Sequence, residues 1–306
     1  MSDFVQQQNV ICNFSNSDSW VVLSPIEQSI KKKIETVGTP LKDWDINIYR
    51  GVLTGCNEAF IIDTAKRDEI LACCQSVEER ERTAELIRPI LRGRDIKRYA
   101  YEWANLWLIA TFPSRHYDID EYPSVKQHLL SYGIEKLEQT GKVHNVNGEK
   151  IKARKKTNNK WFETQDSISY WEDFNKPKVM WKIIGCNINF CFDDKQVICN
   201  NAVNIIVGRR DKLIQFVGLM NSKLFDWYLK LTTEAEVQGG GIQLYVTTLE
   251  KTFLKLDFHQ SLTDIIYQRI QHQASDNDVD NAVFEAYELS SDEQSYILQD
   301  RRVNRN

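Results

Sequence analysis

Two short segments of the sequence concentrate its positive charge. Residues 91–99, LRGRDIKRY, carry four basic side chains and one carboxylate, and residues 150–161, KIKARKKTNNKW, carry six basic side chains and no carboxylate. Guanidinium and ammonium groups bind phosphate oxygens, and arginine and asparagine can also make paired hydrogen bonds to the edges of nucleobases. The formal net charge of the whole chain is -4. A polyanion responds to the local electric field more than to the total charge, so this net charge does not exclude a nucleic-acid partner.

Residue types alone leave two interpretations of these segments open. A run of charges is commonly a solvated surface. Charge patterning alone only suggests a binding partner. The alternative is contact with a nucleic acid, in which phosphates would be held by Lys150, Lys152, Arg154, Lys155 and Lys156. Base-edge donors and an adjoining apolar surface would then be supplied by Asn158, Asn159, Lys160 and Trp161.

The composition is that of an ordinary globular protein, with 42% hydrophobic and 27% charged residues. No apolar run approaches the roughly 20 residues that a membrane helix needs. The N-terminus, MSDFVQQQNV, lacks the basic start and apolar stretch of a signal peptide. The seven cysteines are irregularly spaced, which favours a reducing compartment, so we expect a cytoplasmic protein with no membrane partner.

The sequence contains no recognisable catalytic constellation. None of its six prolines is adjacent to another, so the Pro-Pro-aromatic motif of amino-methylating DNA methyltransferases is absent. The glycines at 239–241 precede a predicted strand, whereas a nucleotide- or S-adenosylmethionine-binding turn follows a strand and opens a helix. Asp193-Asp194-Lys195 is predicted to be a hairpin turn and not half of a nuclease site. Cys186, Cys191 and Cys199 lack the short pairs of a zinc site and are expected to be core thiols.

Helices are predicted where capping residues precede apolar positions at helical spacing. Ser24 with Glu27 forms a capping box ahead of Ile30 and Ile34, and Gly38 ends that helix. Further helices are predicted over residues 76–87, where Pro89 terminates the helix, over 122–139 and 211–231, and in two or three places after Ser261.

Strands are predicted from short apolar or alternating runs between turn residues. They fall within residues 46–63 (two strands around a glycine-containing turn), 105–112, 178–184, 187–192, 196–207 and 242–246. Residues 140–160 lose all periodicity and are predicted to be a polar, basic surface loop. Because strands and helices follow no regular alternation, we expect an α+β fold of mixed sheets with flanking helices and a helical C-terminal segment.

Several separate blocks carry a family resemblance. In chain order they are IYRGVLTGCNEAFIID, ELIRPILRGRDIKRY, WANLWLIAT, IDEYPSVKQHLLSY, WFETQDSISYWEDFNKPKVMW, FVGLMNSKLFDWYL with the GGG turn, and DVDNAVFEAYELSSDEQ. They resemble the TaqI-like C-terminal specificity domain, the target-recognition domain of adenine-specific DNA methyltransferases and type IIG restriction–modification enzymes. The resemblance spans residues from about 20 to about 300 in the family's order.

The resemblance implies that the chain recognises a short sequence in double-stranded DNA and presents it to a methyltransferase catalytic domain or subunit. It divides the chain into an N-terminal segment and leading helix (1–40), a target-recognition domain (41–256) and a helical segment (257–306). The chain would be an excised domain or a stand-alone specificity subunit. We expect no cofactor in it, and S-adenosylmethionine, with Mg²⁺ if a nuclease is fused, in the catalytic part.

The resemblance also divides the roles of the basic residues. The first basic segment belongs to a shared block, which cannot encode differing sequence preferences, so its side chains are assigned to phosphates or to holding the fold. The expected DNA-contacting residues comprise Arg50, Arg92, Arg94, Lys97, Arg98, Lys150, Lys152, Arg154, Lys155, Lys156, Asn158, Asn159, Lys160 and Trp161. Two rival functions are a nuclease with an unrecognised site and a protein–protein interaction or inhibitory module.

Overall fold

The fold is α+β, as the sequence predicts. A computed structural model describes residues 23–185, 187–233, 236–237, 241–255 and 257–303, and the sequence features at Cys186, Gly239 and Gly240 lie outside this part of the chain. Helices and several sheets follow one another irregularly. Among the described residues, every helix is too short or too polar to traverse a lipid bilayer.

Twelve α-helices lie within the described residues. They are α1 (Pro25–Val37), α2 (Asn57–Phe60), α3 (Thr64–Ala72), α4 (Val77–Leu86), α5 (Pro123–Leu130), α6 (Ile134–Leu137), α7 (Arg210–Asn221), α8 (Lys223–Thr232), α9 (Val246–Leu249), α10 (Gln260–Ile270), α11 (Asp276–Ala286) and α12 (Ser291–Gln299). The last three match the two or three helices predicted for the end of the chain.

The strands of the described residues are short. They are β1 (Thr39–Pro40), β2 (Asn47–Arg50), β3 (Ile61–Asp63), β4 (Ile87–Leu91), β5 (Leu106–Ile109), β6 (Val143–Val146), β7 (Glu149–Lys152), β8 (Lys178–Lys182), β9 (Ile184–Gly185), β10 (Phe190–Asp193), β11 (Ile198–Cys199), β12 (Val203–Val207), β13 (Glu236–Val237), β14 (Gly241–Gln243) and β15 (Phe253–Leu254).

Packing divides the chain into two compact units. The first contains the described residues of Met1–Asp45, Ile184–Ile188 and Ile214–Asn306, and the second consists of Ile46–Ile183 and Asn189–Leu213. The domain boundaries expected near residues 40 and 256 stay a prediction, because compactness alone does not define a functional domain. Both basic segments belong to the second unit.

The first unit is mainly helical and shows the predicted capping chemistry. At the start of α1 the Ser24 main-chain N–H donates to the Glu27 carboxylate at 2.8 Å, and the Ser24 hydroxyl accepts from the Glu27 N–H. Ile30 and Ile34 of α1 are fully buried. A capping box works over one helical turn, so the residues that form it can be read directly from the sequence.

The second unit is built on two four-stranded sheets. One has the order β10-β8-β12-β2 and is antiparallel. The other has the order β11-β4-β5-β3, with β11 parallel to β4. Apolar side chains from both sheets and from α5 form one contiguous core. Cys191 and Cys199 are buried in it as free thiols, which confirms their prediction as core residues, and burial raises the pKa of Cys199 to about 12.

Two of the long predicted helices are broken in the structure. The helix predicted over residues 122–139 is α5 followed by α6, because Gly133 adopts a φ of 85° between them. The helix predicted over residues 211–231 is α7 followed by α8, whose first turn is capped by the Ser222 hydroxyl. A positive φ and a new N-cap each interrupt helix geometry without disturbing the apolar spacing that suggested one helix.

Three turn assignments are also corrected. The two strands predicted within residues 46–63 exist as β2 and β3, but a helical turn, α2, separates them and they belong to different sheets. Pro89 lies inside β4 and does not end α4, which stops at Leu86. Asp193-Asp194-Lys195 is not a hairpin, since β10 pairs with β8 and β11 pairs with β4. Asp193 instead ends β10 as a buried charge.

Candidate nucleic-acid interface

The second basic segment begins on a β-hairpin and not on the predicted loop. β6 and β7 pair antiparallel across a two-residue turn at Asn147 and Gly148, whose φ values are 51° and 88°. An Asn-Gly pair favours the turn that connects two such strands, because both of its central residues need a positive φ. This signal could have revealed the hairpin from sequence. It was missed because the flanking strands lack a clear apolar alternation.

The hairpin, residues 143–152, has one exposed face. Residues paired across an antiparallel ladder point to the same side, and the pairing places Asn145 opposite Lys150 and Val143 opposite Lys152. All four side chains are exposed. We call this set the outer face of the basic hairpin. It presents two ammonium groups and one amide on a two-stranded ribbon.

The residues that follow the hairpin, 153–161, form the basic loop, and Arg154 anchors it. Arg154 is only 5% exposed. Its guanidinium donates to four main-chain carbonyl oxygens, from Nε to Leu137 at 2.7 Å, from Nη1 to Thr54 and Glu163 at 2.8 and 2.7 Å, and from Nη2 to Trp161 at 2.6 Å. Burial lowers the pKa of Arg154 to about 10, so the group stays charged at neutral pH. Arg154 therefore holds chain segments together, which corrects its prediction as a phosphate contact.

The two asparagines of the basic loop differ in their surroundings. Asn159 Nδ2 donates to the carbonyl oxygens of Thr164 and Gln165 at 3.3 and 2.9 Å, so its amide is engaged in shaping the loop. Asn158 is exposed, and its side chain makes no hydrogen bond within the described chain. Of the predicted base-edge amides, only Asn158 is therefore displayed for a ligand. The sequence could not separate these neighbours, because the partners of Asn159 are fixed by the fold of the loop.

The other side chains of the basic loop point outward to different degrees. Lys155, Lys156 and Lys160 are exposed, and Trp161 is half-buried. The main-chain N–H of Lys160 donates to Glu163 Oε2 at 2.7 Å, which fixes the backbone under its side chain. The loop thus combines exposed cations with a backbone held by internal hydrogen bonds.

The first basic segment serves the fold more than its sequence suggests. Arg92 Nε and Nη2 donate to the two carboxylate oxygens of Asp95 at 3.0 and 2.9 Å, and Asp95 is buried. Lys97 is exposed, with its ammonium 3.3 Å from the Glu102 carboxylate. Arg98 is half-buried beside the ring of Tyr99, and Arg94 is exposed. Arg94 and Lys97 are consequently the side chains of this segment best placed for a phosphate.

Arg50 is held against a stretch of backbone that also bonds the first basic segment. Arg50 is exposed, and its Nε donates to the Asn201 carbonyl at 3.2 Å. The preceding residue, Asn200, donates its main-chain N–H to the carbonyl of Leu91, the first residue of the first basic segment. Tyr170 donates its hydroxyl to the Arg50 carbonyl at 2.7 Å.

Asp166 is a polar residue of this surface that the sequence did not single out. Its side chain is half-buried, and burial raises its pKa, while the charges of Arg50 and Lys155 act in the opposite direction. Both cations therefore lie close enough to Asp166 to influence it, although they are far apart in sequence. Asp166 adds a carboxylate acceptor to an otherwise cationic surface.

Comparisons with known proteins place this sequence in a family. Residues 88–252 match the family model of the TaqI-like C-terminal specificity domain, a span that includes both basic segments. No curated protein matches the sequence.

Two solved structures are similar to the chain. For the type IIG restriction endonuclease BpuSI the sequence identity is 12% and the TM-score 0.56, and the match covers 90% of this chain and 32% of that one. For the type IIL restriction-modification enzyme MmeI, solved in complex with DNA, the values are 10%, 0.49, 84% and 35%. The chain thus spans about a third of the length of these proteins, and at such identities the likeness concerns the fold alone. Since the family model matches more than half of the sequence, the chain belongs to the TaqI-like C-terminal specificity domains.

Proposed function

We propose that this chain recognises a short sequence in double-stranded DNA and directs a restriction–modification enzyme to it. The enzyme would be an adenine-specific methyltransferase or a fused type IIG methyltransferase–endonuclease, with S-adenosylmethionine bound in that catalytic part. The observation that carries the proposal is the joint display of five exposed lysines and the exposed Asn158 on the basic hairpin and the basic loop. Family membership supports the same conclusion.

The shape of the basic hairpin suits a DNA groove. The major groove of B-DNA admits a two-stranded β-ribbon, and base pairs are distinguishable there by their donors and acceptors. Lys150 and Lys152 on the outer face would contact phosphates, and Asn145 lies opposite Lys150. The neighbouring Asn158 could pair with adenine, and Asp166 could accept from the amino group of cytosine.

The backbone of the basic loop supports such a role because it is fixed before DNA arrives. A binding group gains affinity when its conformation is already ordered in the free protein. Arg154 and Asn159 provide that order through their hydrogen bonds to main-chain carbonyls. The exposed side chains would then contact DNA without a large entropic cost from ordering the loop.

We expect Lys150→Ala and Lys152→Ala to weaken duplex binding to all sequences alike. Each lost phosphate contact should reduce the slope of log affinity against log salt by about 0.9. The measurement is fluorescence anisotropy of the pure chain with a random duplex at several salt concentrations. Lys195→Ala, which removes an exposed lysine outside the proposed interface, is the matched control and should leave the slope unchanged. Wild-type affinity that does not vary with salt would contradict the proposal.

We expect Asn158→Ala to relax sequence preference at one base pair. A lost bidentate base contact costs about 1–3 kcal/mol on the preferred site. The preference is measured by selection from randomised duplexes, using an enzyme reconstituted with a methyltransferase half. Asn159→Ala is the informative neighbour, since its amide is occupied within the protein and its substitution should lower stability instead. If the selected sequence is unchanged in Asn158→Ala, this residue does not read a base.

A further inference from the structure

A second cationic feature of the second unit lies outside the basic hairpin and the basic loop. It is a cleft of about 500 Å³ lined by residues of α3, α4, β4 and β5 and of the short turns Pro113–Arg115 and Trp171–Asn175. The lining contains one carboxylate, Glu85, and four arginines: Arg67, Arg82, Arg88 and Arg115. In a chain of net negative charge, such an excess of guanidinium groups in a concave site favours an anionic ligand.

Arg82 on α4 and Arg88 on β4 keep hydrogen-bond donors available. Arg82 Nη2 donates to the Glu121 carbonyl at 3.2 Å, and Arg88 Nη2 donates to Asn175 Oδ1 and the Gln196 carbonyl at 3.0 and 3.1 Å. Neither forms an ion pair with a carboxylate within the described residues. Because a guanidinium carries five N–H donors, each retains several for a ligand. Their charge is likewise not neutralised by a direct protein partner.

Two arginines of the cleft are stacked on tryptophans. The Arg67 guanidinium carbon lies 4.1 Å from the Trp107 ring centroid, and that of Arg115 lies 3.9 Å from the centroid of Trp171. Stacking fixes the plane of a guanidinium while its outer edge stays able to donate to phosphate. Arg67 Nη1 pairs with Asp68 at 3.2 Å, but its Nε is buried and has no hydrogen-bond partner within the described residues. Two of the four arginines are therefore held in place by a tryptophan ring.

We propose that this cleft binds a nucleotide, with the phosphate held by Arg82 and Arg88 and the base stacked on the guanidinium planes of Arg67 and Arg115, which lie over Trp107 and Trp171. Guanidinium groups bind phosphate through two parallel hydrogen bonds. Nucleobases stack on aromatic rings and on guanidinium planes. Inorganic phosphate would satisfy Arg82 and Arg88 but would leave the two stacked guanidinium planes unused. The nucleotide is either free or a unit of single-stranded DNA, since the recognised groups are the same.

The test is calorimetric titration of the whole chain with four probes: inorganic phosphate, 2′-deoxyadenosine, 2′-deoxyadenosine 5′-monophosphate and a short single-stranded oligonucleotide. The monophosphate should bind about tenfold more tightly than inorganic phosphate, the effect of one stacked base. It should also bind more tightly than the nucleoside, which lacks the charge. An oligonucleotide that binds more tightly than the monophosphate identifies a DNA strand as the source, and equal affinities identify a free nucleotide.

Arg115→Ala and Trp171→Ala test the cleft itself. Each should weaken monophosphate binding about tenfold, and Trp171→Ala should leave phosphate binding unchanged. Arg80→Ala is the matched control, since it removes an exposed arginine of α4 that does not line the cleft. Arg115 is exposed, so its variant keeps the test valid if Trp171→Ala fails to fold. Equal affinity for phosphate and nucleotide, or unchanged binding in Arg115→Ala, overturns the proposal.

Failure of this proposal is distinguishable from failure of duplex recognition. No residue of the basic hairpin or the basic loop lines the cleft. Arg115→Ala should therefore keep the salt-dependent duplex binding of the wild type, and Lys150→Ala should keep its nucleotide binding. Loss of both activities in both variants would contradict a separate nucleotide site.

Discussion

Replacing Arg154 by alanine is expected to lower the free energy of unfolding by about 3–5 kcal/mol. The guanidinium donates to four main-chain carbonyl oxygens, and the side chain is buried. Each buried acceptor left without a donor costs about 1–3 kcal/mol, and water entering the vacated space reduces the sum. The measurement is urea-induced unfolding of the wild type and the variant, followed by circular dichroism.

Two further variants separate anchoring from charge. Lys155→Ala removes the neighbouring exposed cation and should change stability by less than about 0.5 kcal/mol. Arg154→Lys keeps the charge, but one ammonium cannot reach carbonyls on separate segments as a planar guanidinium does, so it should recover only part of the loss. If Arg154→Ala unfolds at the same urea concentration as Lys155→Ala, the hydrogen bonds of Arg154 do not stabilise the loop.

Arg154 also shows where prediction from the sequence ends. Its carbonyl partners at Leu137 and Thr54 are 17 and 100 residues away along the chain, and no local pattern indicates which distant carbonyls need a donor. The sequence could identify the basic segment, but it could not separate a structural arginine from the exposed lysines on either side. Burial and hydrogen bonding in the fold decide that difference.

Features set by neighbouring residues were predicted well. The capping box of Ser24 and Glu27 depends on residues three positions apart, and the α+β class follows from local periodicities. The Asn147-Gly148 turn is equally local and was available to prediction. By contrast, the pairing of β11 with β4 and the hydrogen bond from Arg50 Nε to the Asn201 carbonyl depend on long-range packing.

The first basic segment illustrates the same limit at short range. Arg92 and Asp95 are three residues apart and form a bidentate ion pair, whereas their neighbour Arg94 is exposed. Composition predicts a cationic loop in either case. Only the backbone geometry shows that Arg92 closes the turn. We therefore prefer a structural role for Arg92 over a phosphate contact.

Asp193→Ala is expected to destabilise the second unit by about 3–5 kcal/mol, because it leaves the Lys178 ammonium buried without a counter-charge. Both side chains are fully buried, with Lys178 Nζ 2.5 Å from Asp193 Oδ2. Tyr101 donates its hydroxyl to Asp193 Oδ1 at 2.9 Å, and burial, together with the Asp193 carboxylate, raises the pKa of Tyr101. The measurement is again urea-induced unfolding of the whole chain.

Asp194 provides a matched control for this prediction. It is the next residue, and its carboxylate pairs with Arg210 at 2.9 Å with both side chains partly exposed. An exposed ion pair contributes about 0.2–1 kcal/mol, so Asp194→Ala should be nearly neutral. Lys178→Met combined with Asp193→Leu should lose less stability than Asp193→Ala, because no buried charge remains unpaired. Equal losses for Asp193→Ala and Asp194→Ala would show that the buried ion pair of Lys178 and Asp193 does not stabilise the sheet.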